Sequence, residues 1–185
     1  NFLEQFFFRH FFLFLCVILE IIFIFGGGKI MKNYEINNET MALIPLSKEK
    51  VKVLEYEEEF ILDMNATQIM ENSCQYFGSS LEGRRKGTEV MIGVNYKAPI
   101  IVEETFGLIF FPLSSARYHD TPWISLKYVN KYYKEGKNVV LEFLNGRKIL
   151  LNVTFGIFDN QLLRATRLES ALRGRKVQKK HFNRR

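Results

Sequence analysis

The sequence predicts an α+β fold in one small domain, with antiparallel strands and a hairpin, interspersed helices, and a basic C-terminal helix and tail. Short runs rich in β-forming residues open the domain at residues 40–46 and 51–56. Two similar runs flank Asn145 and Gly146, and an amphipathic helix follows them. Because strands and helices do not alternate in a βαβ rhythm, the pattern argues against a parallel α/β sheet.

Length and composition are those of a globular protein with one core. The chain has 185 residues, of which 47% are hydrophobic and 25% charged, and this balance favours a folded domain over a disordered chain. Its two cysteines, Cys16 and Cys74, are too few and too far apart for a disulfide framework or a closed zinc site. The three histidines fall at no metal-ligand spacing. The sequence therefore predicts a reducing compartment, no metal and no cofactor.

Residues 1–30 differ in composition from the rest, because nine of the eighteen phenylalanines lie there. A membrane span needs about 20 largely apolar residues, whereas the apolar run at 11–25 is shorter and contains Glu20. A secretory signal needs a basic start and a small-residue cleavage site. Arg9 alone is a poor basic start, and no cleavage site of this kind follows. The glycines and lysine at 26–29 back-translate to a purine-rich stretch typical of a bacterial ribosome-binding site. We therefore expect residues 1–30 to be upstream DNA translated in frame, with the native chain starting at Met31 and a hydrophobic anchor as the alternative.

A helix is expected to begin after Asn65, which lies three positions before Gln68 in a capping-box arrangement. Gly78 is suited to end this helix, since glycine readily takes the left-handed conformation found at helix ends. Cys74 would then be a core residue rather than a nucleophile, as is usual for a lone free cysteine. The apolar stripe of this helix consists of Ala66, Met70, Cys74 and Phe77.

The middle of the chain predicts further buried strands. Apolar residues run together at 100–102 and 108–113. The run at 59–63 is expected to continue the strand at 51–56. Trp123 is expected in a loop, because a proline precedes it.

A β-hairpin is the clearest local signal. The runs at 139–144 and 147–153 flank Asn145 and Gly146, the pair that a type I′ turn prefers because both central residues need a positive φ. The sequence therefore predicts a type I′ hairpin here.

The last predicted element is an amphipathic helix that begins near Asp159. Residues 171–185 contain seven basic side chains and no acid, so they carry +7, and the net charge of +6 leaves −1 for residues 1–170. A near-neutral body with a basic end is typical of a protein that contacts a polyanion, either nucleic acid or an anionic lipid surface. The expected organisation is a binding domain at residues 31–172 and a basic tail at 173–185. The apolar stripe of the helix is Phe158, Leu162, Ala165, Leu168 and Leu172, with Arg164, Arg167 and Arg175 near the opposite face.

Residues 78–87 place three basic side chains between two glycines that we expect to be flexible. Glycines let the backbone approach a partner closely, and small hydroxyls suit phosphate oxygens. A solvated surface turn is the alternative interpretation. The candidate nucleic-acid contacts are the polar residues of this segment and the basic residues of the last helix and tail: Ser79, Ser80, Arg84, Arg85, Lys86, Arg164, Arg167, Arg173, Arg175 and Lys176.

Several short motifs occur in order along the chain. They are Cys74-Gln75-Tyr76-Phe77-Gly78-Ser79-Ser80, Gly83-Arg84, Gly87-Thr88, Lys97-Ala98-Pro99, Phe111-Pro112 with Ser114-Ser115, Trp123-Ile124-Ser125, Asn145-Gly146 and Asn160-Gln161. Separated motifs in a fixed order are far more specific than one short match. In this order and spacing, residues 34–173 resemble the ComK family of competence transcription factors of Gram-positive bacteria.

The resemblance implies a transcription activator that binds paired A/T-rich promoter boxes in double-stranded DNA, largely through the minor groove. It implies dimers that assemble further on DNA, a place in the cytoplasm at the nucleoid, and RNA polymerase as a further partner. The minor groove distinguishes mainly A·T from G·C pairs, and narrow A-tract grooves attract arginines. Arg173-Gly174-Arg175 resembles the core of an AT-hook, and Arg84 and Arg85 are expected to carry most of the A/T selectivity.

The end of the chain departs from the family. Family members typically continue with a tail that an adaptor recognises and delivers to a protease, whereas this chain stops at Arg185. We therefore expect a family member that is shortened at its C-terminus. Whether it binds a protease adaptor is left open by the sequence.

Two other functions compete with this interpretation. An enzyme would have to use Ser114, Ser115, His119 and Asp120, and no nucleophile elbow or phosphate loop surrounds them. The sequence therefore predicts no enzyme. A membrane-anchored interaction protein with a basic cytoplasmic tail is the alternative function, and it requires residues 1–30 to be translated.

Overall fold

The computed structural model describes residues 34–115 and 121–182, with side chains as far as Lys176. The predictions for residues 1–30, for His119 and Asp120, and for the end of the basic tail lie outside these residues. All the described residues belong to one compact unit, Lys32–Arg185. Strands that pair antiparallel are combined with separate helices, which confirms the predicted α+β fold.

The larger sheet of the described chain has six strands. They are β1 (Thr40–Pro45), β2 (Val51–Glu55), β3 (Glu59–Leu62), β4 (Ile100–Glu103), β5 (Leu108–Pro112) and β6 (Trp123–Ser125). Their order across the sheet is β3-β2-β1-β6-β5-β4, and neighbouring strands are antiparallel. The prediction that residues 59–63 continue the second strand is wrong. A turn in which the Glu55 amide donates to the Glu58 carbonyl reverses the chain, and β3 pairs back onto β2.

Trp123 lies in a strand and not in the predicted loop. It pairs with Leu43 of β1 and Pro112 of β5, and only 1% of its surface is exposed. Strand β6 has three residues and all are buried, so it shows neither the length nor the alternation by which a strand is recognised in a sequence. The proline before Trp123 stands just outside the strand, a position where a missing N–H costs nothing.

The smaller sheet contains β7 (Val129–Glu135), β8 (Asn138–Phe143) and β9 (Lys148–Leu151), in that order. Strands β8 and β9 form the predicted hairpin, but its turn is not type I′. Gly146 has a φ of 82°, while Asn145 does not take a positive φ. The amide of Gly146 donates to the Phe143 carbonyl, which is the arrangement of a type I turn followed by a left-handed glycine.

Helix α1 (Ala66–Tyr76) begins and ends as its sequence predicts. The Asn65 side chain accepts a hydrogen bond from the Gln68 amide at 2.8 Å, and Gly78 follows the helix with a φ of 74°. Cys74 is fully buried, and this burial raises the pKa of its thiol to about 11. The prediction of a core cysteine is confirmed.

Helix α2 (Leu81–Ile92) occupies the segment for which flexible glycines were expected. The Ser80 side chain caps it by accepting a hydrogen bond from the Gly83 amide at 3.0 Å. A Cβ atom on Gly83 would lie 3.1 Å from the Ser80 hydroxyl, so this glycine allows a close capping turn rather than a mobile loop. Since Thr88 is the buried residue of α2, the sequence lacks the apolar stripe that marks most helices.

Helix α3 (Phe155–Phe182) is longer than expected at both ends. It begins four positions before Asp159, where the amides of Ile157 and Phe158 donate to the Thr154 carbonyl. It also continues through Gly174, so Arg173-Gly174-Arg175 is helical. A glycine inside a helix costs about 1 kcal/mol relative to alanine, which the rest of the helix offsets.

The core lies between the two sheets and α3. Phe158 of α3 packs edge-on against Phe111 of β5, with ring centroids 5.8 Å apart. Burying one such side chain contributes roughly 1.5–3 kcal/mol. Of the predicted stripe, Phe158, Ala165, Leu168 and Leu172 are buried, which fixes which side of α3 remains outside. Within the described part of the chain, no helix is both long and apolar enough to cross a bilayer.

Candidate nucleic-acid interface

Arg84 is partly buried against two neighbouring elements. Its guanidinium donates to the carbonyl of Phe77 at 3.3 Å and pairs with Glu104 at 3.5 Å, and 18% of its side chain is exposed. Phe77 follows α1, and Glu104 lies in the turn between β4 and β5. Arg84 therefore ties α2 to two other elements.

The same turn also receives α3. The Lys176 ammonium donates to the Glu104 carbonyl oxygen, so side chains of α2 and α3 meet at one residue. A groove of about 560 Å³ lies beside the turn, lined in part by Lys127, Arg173, Lys176 and the exposed Phe106. Three cations thus line a groove that runs along α3.

Glu103 stiffens this turn. Its carboxylate accepts hydrogen bonds from the amides of Thr105 at 2.7 Å and Phe106 at 2.6 Å. Partial burial acts to raise the pKa of Glu103, but the hydrogen bonds from the two amides outweigh it and hold the pKa below its usual range. The carboxylate therefore stays charged and keeps the turn in place.

Arg85 is a bridge between α2 and the segment that follows it. Two of its nitrogens bond the Glu82 carboxylate, each at 2.7 Å, and a third donates to the Asn95 carbonyl at 3.2 Å. The hydrogen bond from Arg85 lowers the pKa of Glu82 and raises the pKa of Arg85 itself. A bidentate pair of this kind fixes direction as well as charge.

Side chains of α3 bond the next two carbonyls. Arg164 donates to the Tyr96 carbonyl at 3.0 Å and to the Gln161 side-chain oxygen at 3.1 Å. The Gln161 amide in turn donates to the Lys97 carbonyl at 2.9 Å. Three consecutive carbonyls are therefore bonded by side chains from two helices, and we call residues 95–97 the clamped segment.

The clamped segment carries local backbone strain. Lys97 has a φ of 50°, and among the described residues it is the one non-glycine at positive φ. For an L-residue with a Cβ this conformation costs roughly 1–2 kcal/mol. The Lys97 ammonium lies 5.5 Å from the ring centroid of Tyr96, and Tyr96 is 62% exposed.

The remaining predicted cations face outward. Lys86, Arg167, Arg173, Arg175 and Lys176 are exposed. Lys86 lies 3.9 Å from Glu82, and Arg173 pairs with Glu169 at 2.7 Å along α3. For Arg167 and Arg175, no partner exists among the described residues. The prediction that all ten residues contact nucleic acid stays a prediction, and the placement of the eight cations divides these into clamped and outward-facing groups.

The two predicted serines differ in role. The Ser80 hydroxyl accepts the capping bond of α2, which uses it within the protein. Ser79 is half-buried beside the same helix end. The hydroxyl of Ser114, from the enzyme hypothesis, lies 2.7 Å from that of Thr121.

Sequence reasoning missed two sets of residues. Tyr96 and Lys97 stand out only in three dimensions, because a positive φ at a lysine has no sequence signal, although Lys97 opens the Lys97-Ala98-Pro99 motif. The second set lies in the hairpin of β7 and β8, where the mixture of lysines and aromatic residues in β7 could have indicated an exposed strand. Three of its lysines are exposed and make no hydrogen bond or ion pair with the described residues: Lys131, Lys134 and Lys137.

Comparison with known proteins identifies the class. The model of the family described as ComK protein matches residues 31–177. A competence transcription factor from Bacillus subtilis (strain 168) is 30% identical over 149 residues, which cover 78% of this chain and 78% of that protein. No solved structure matches the chain. The match is to a family of transcription regulators and not to a class of enzymes. This chain belongs to the ComK family.

Proposed function

We propose that this protein is a DNA-binding transcription activator that switches on DNA-uptake genes for competence. The observation that carries the proposal is the outward-facing basic group on α2 and α3: Lys86, Arg167, Arg173, Arg175 and Lys176 are all exposed. Phosphate contacts by Lys and Arg supply most of the sequence-independent affinity for DNA. Family membership supplies the competence role.

The preferred target is an A/T-rich promoter box read largely through the minor groove. That groove offers little beyond an A·T-versus-G·C distinction, and its width in A-tracts favours arginine. Arg167 and Arg175, without partners among the described residues, are free to enter it. Because α3 is helical through Arg175, Arg167 and Arg175 would meet DNA as side chains of a helix.

The clamped arginines have a different role in this proposal. Arg84, Arg85 and Arg164 bond carbonyls and carboxylates of their own chain. Arg84 and Arg164 each make two bonds inside the protein and Arg85 makes three, and a guanidinium would have to break such bonds to reach DNA. We assign these three to positioning the surface, and the five exposed cations to contact.

The remaining features of the proposal follow from the same role. The protein would work in the cytoplasm at the nucleoid and self-associate on paired boxes. RNA polymerase would be its partner in activation. No metal or cofactor is part of the proposal.

A gel shift tests this function. A duplex that contains A/T boxes is compared with a G/C-rich duplex of equal length at two salt concentrations. We expect tighter binding to the A/T duplex at both, and a fall in affinity with salt on both, since cations released from phosphates carry the non-specific part. Equal affinity for both duplexes would overturn the A/T selectivity, and no binding at low salt would overturn DNA binding itself.

A further inference from the structure

The backbone of the clamped segment is suited to a different residue from the one it carries. Glycine adopts the left-handed conformation of Lys97 without steric cost, and asparagine tolerates it. A strained position that holds a long charged side chain suggests that the side chain itself is used. Lys97 is half-buried, and its ammonium lies over the ring of the exposed Tyr96.

The clamp fixes where these two side chains point. The carbonyls of Asn95, Tyr96 and Lys97 are bonded by Arg85, Arg164 and Gln161 in turn. Just after the segment, the Pro99 carbonyl accepts a hydrogen bond from buried Thr88 at 2.8 Å. The segment is therefore rigid although it is irregular, and this is the condition under which a surface contact loses little entropy on binding.

The charges around the segment favour an anionic partner. Glu82 is held by Arg85, and Glu89 accepts a hydrogen bond from the Asn95 side chain at 3.2 Å. The charge of Glu82 is therefore offset by Arg85, and the Glu89 carboxylate is occupied by the neutral Asn95 amide. The ammonium of Lys97 has no carboxylate partner among the described residues, and Lys86 on the neighbouring helix is exposed.

We propose that the clamped segment is a preorganised DNA contact, in which the Lys97 ammonium and the Tyr96 hydroxyl bind backbone phosphates of the target duplex. Lysine and tyrosine are both common phosphate contacts, which set the register of a protein on DNA. Arg85 and Arg164 are positioning residues that act through the segment. This inference rests on the proposed function, since it names a further contact with the same DNA.

The test uses Lys97→Gly, which removes the ammonium and the strain together. Affinity of the full chain for a fluorescein-labelled A/T-box duplex is measured by anisotropy across a salt series. We expect the melting temperature to be unchanged or raised by up to about 3 °C, while the salt slope falls by about one unit. The matched control is Lys48→Gly, which removes an exposed lysine in the turn between β1 and β2 and should bind like the wild type. An equal loss in both variants would mean that only net charge matters and would overturn the contact.

A second variant guards against a folding defect. Lys97→Asn keeps a side chain that tolerates positive φ and lacks the charge, so it should weaken binding as Lys97→Gly does. If Lys97→Gly misfolds and Lys97→Asn folds and binds like the wild type, the inference is wrong.

A double-mutant cycle tests the positioning role of Arg85. Arg85→Lys keeps the charge but loses the fork that joins Glu82 to the Asn95 carbonyl. If Arg85 acts through the segment, combining Arg85→Lys with Lys97→Gly should cost no more affinity than Lys97→Gly alone. Additive losses would overturn the positioning role.

Two outcomes distinguish a failure of this inference from a failure of the proposed DNA-binding function. A wild-type protein that binds no duplex overturns the proposed function and the inference with it. A wild type that binds, together with Lys97 variants that bind equally well, overturns the inference alone. If the variants change sedimentation of the DNA-free protein and leave DNA affinity unchanged, the segment contacts a second copy and not DNA.

Discussion

The side-chain amide of Asn145 donates a hydrogen bond to the backbone carbonyl of Tyr56 at 2.6 Å, across 89 positions of the chain. Asn145 lies in the turn between β8 and β9, and Tyr56 follows β2. The side-chain oxygen of Asn145 accepts a second hydrogen bond from the Arg147 amide at 3.0 Å. One residue therefore closes its own turn and fastens the smaller sheet to the larger one.

Replacing this residue should weaken the whole domain. Asn145→Ala removes both bonds, and we expect the free energy of unfolding to fall by about 1–3 kcal/mol, because the partly buried Tyr56 carbonyl loses its donor. Urea denaturation followed by circular dichroism measures the change. Asn145→Asp is the matched control, since it keeps the acceptor for Arg147 and loses the donor to Tyr56. A midpoint for Asn145→Ala equal to that of the wild type would show that the fastening contributes nothing.

Replacing the glycine within α3 should stabilise the domain. Gly174→Ala should raise the free energy of unfolding by about 0.5–1 kcal/mol, because nothing lies within 4 Å of the Cβ position. If Arg173 and Arg175 meet DNA as parts of a helix, affinity for an A/T duplex should be unchanged or slightly higher. A variant that is more stable but loses A/T selectivity would instead favour an extended AT-hook at these residues.

Substituting a clamped cation should lower stability, whereas substituting an outward-facing cation should weaken DNA binding. Arg84→Ala should lower stability by about 1–3 kcal/mol, since the Phe77 carbonyl and Glu104 lose a buried partner. Arg167→Ala should leave the melting temperature within about 1 °C and reduce the salt slope of DNA binding by about one unit. Thermal melts and a salt series on both variants measure the two quantities. The reverse pattern would exchange the roles assigned to these arginines.

The burial of the Cys74 thiol predicts a loss of stability at high pH and slow reaction with thiol reagents. Burial raises the pKa of Cys74 from 9.0 to about 11, so the native state favours the neutral thiol more than the unfolded chain does. The stability from this group is fully present below pH 9 and is lost as the pH rises toward 11. In a Cys16→Ser variant, a thiol reagent at pH 8 should label the native protein far more slowly than protein in denaturant. Equally fast labelling in both would contradict the burial of Cys74.

Local signals in the sequence were sufficient for the elements that local chemistry determines. Asn65 begins α1 and Gly78 ends it because caps depend on a few neighbouring residues. The hairpin at Asn145 and Gly146 was placed for the same reason. The predicted turn type was wrong: Asn145 does not take a positive φ, and its side chain bonds the Tyr56 carbonyl 89 positions away, a contact that no local turn rule reports.

Tertiary contacts decided the rest. Helix α2 buries Thr88 alone among its own residues, and its interior glycines suggest a loop, so its stability comes from contacts with its neighbours. The candidate site was predictable as a set of charges but not as a geometry. Arg85 and Arg164 bond carbonyls 10 and 68 positions away, and no spacing rule in a sequence reports such partners.

The fluorescence of Trp123 reports on the interior of this domain. It is the one tryptophan of the chain, it lies in β6 between β1 and β5, and its indole N–H has no hydrogen-bond partner among the described residues. An indole in such dry surroundings emits at shorter wavelength than one in water. Each variant can therefore be checked without a label, because a red shift of its emission reports that the centre of the larger sheet has opened.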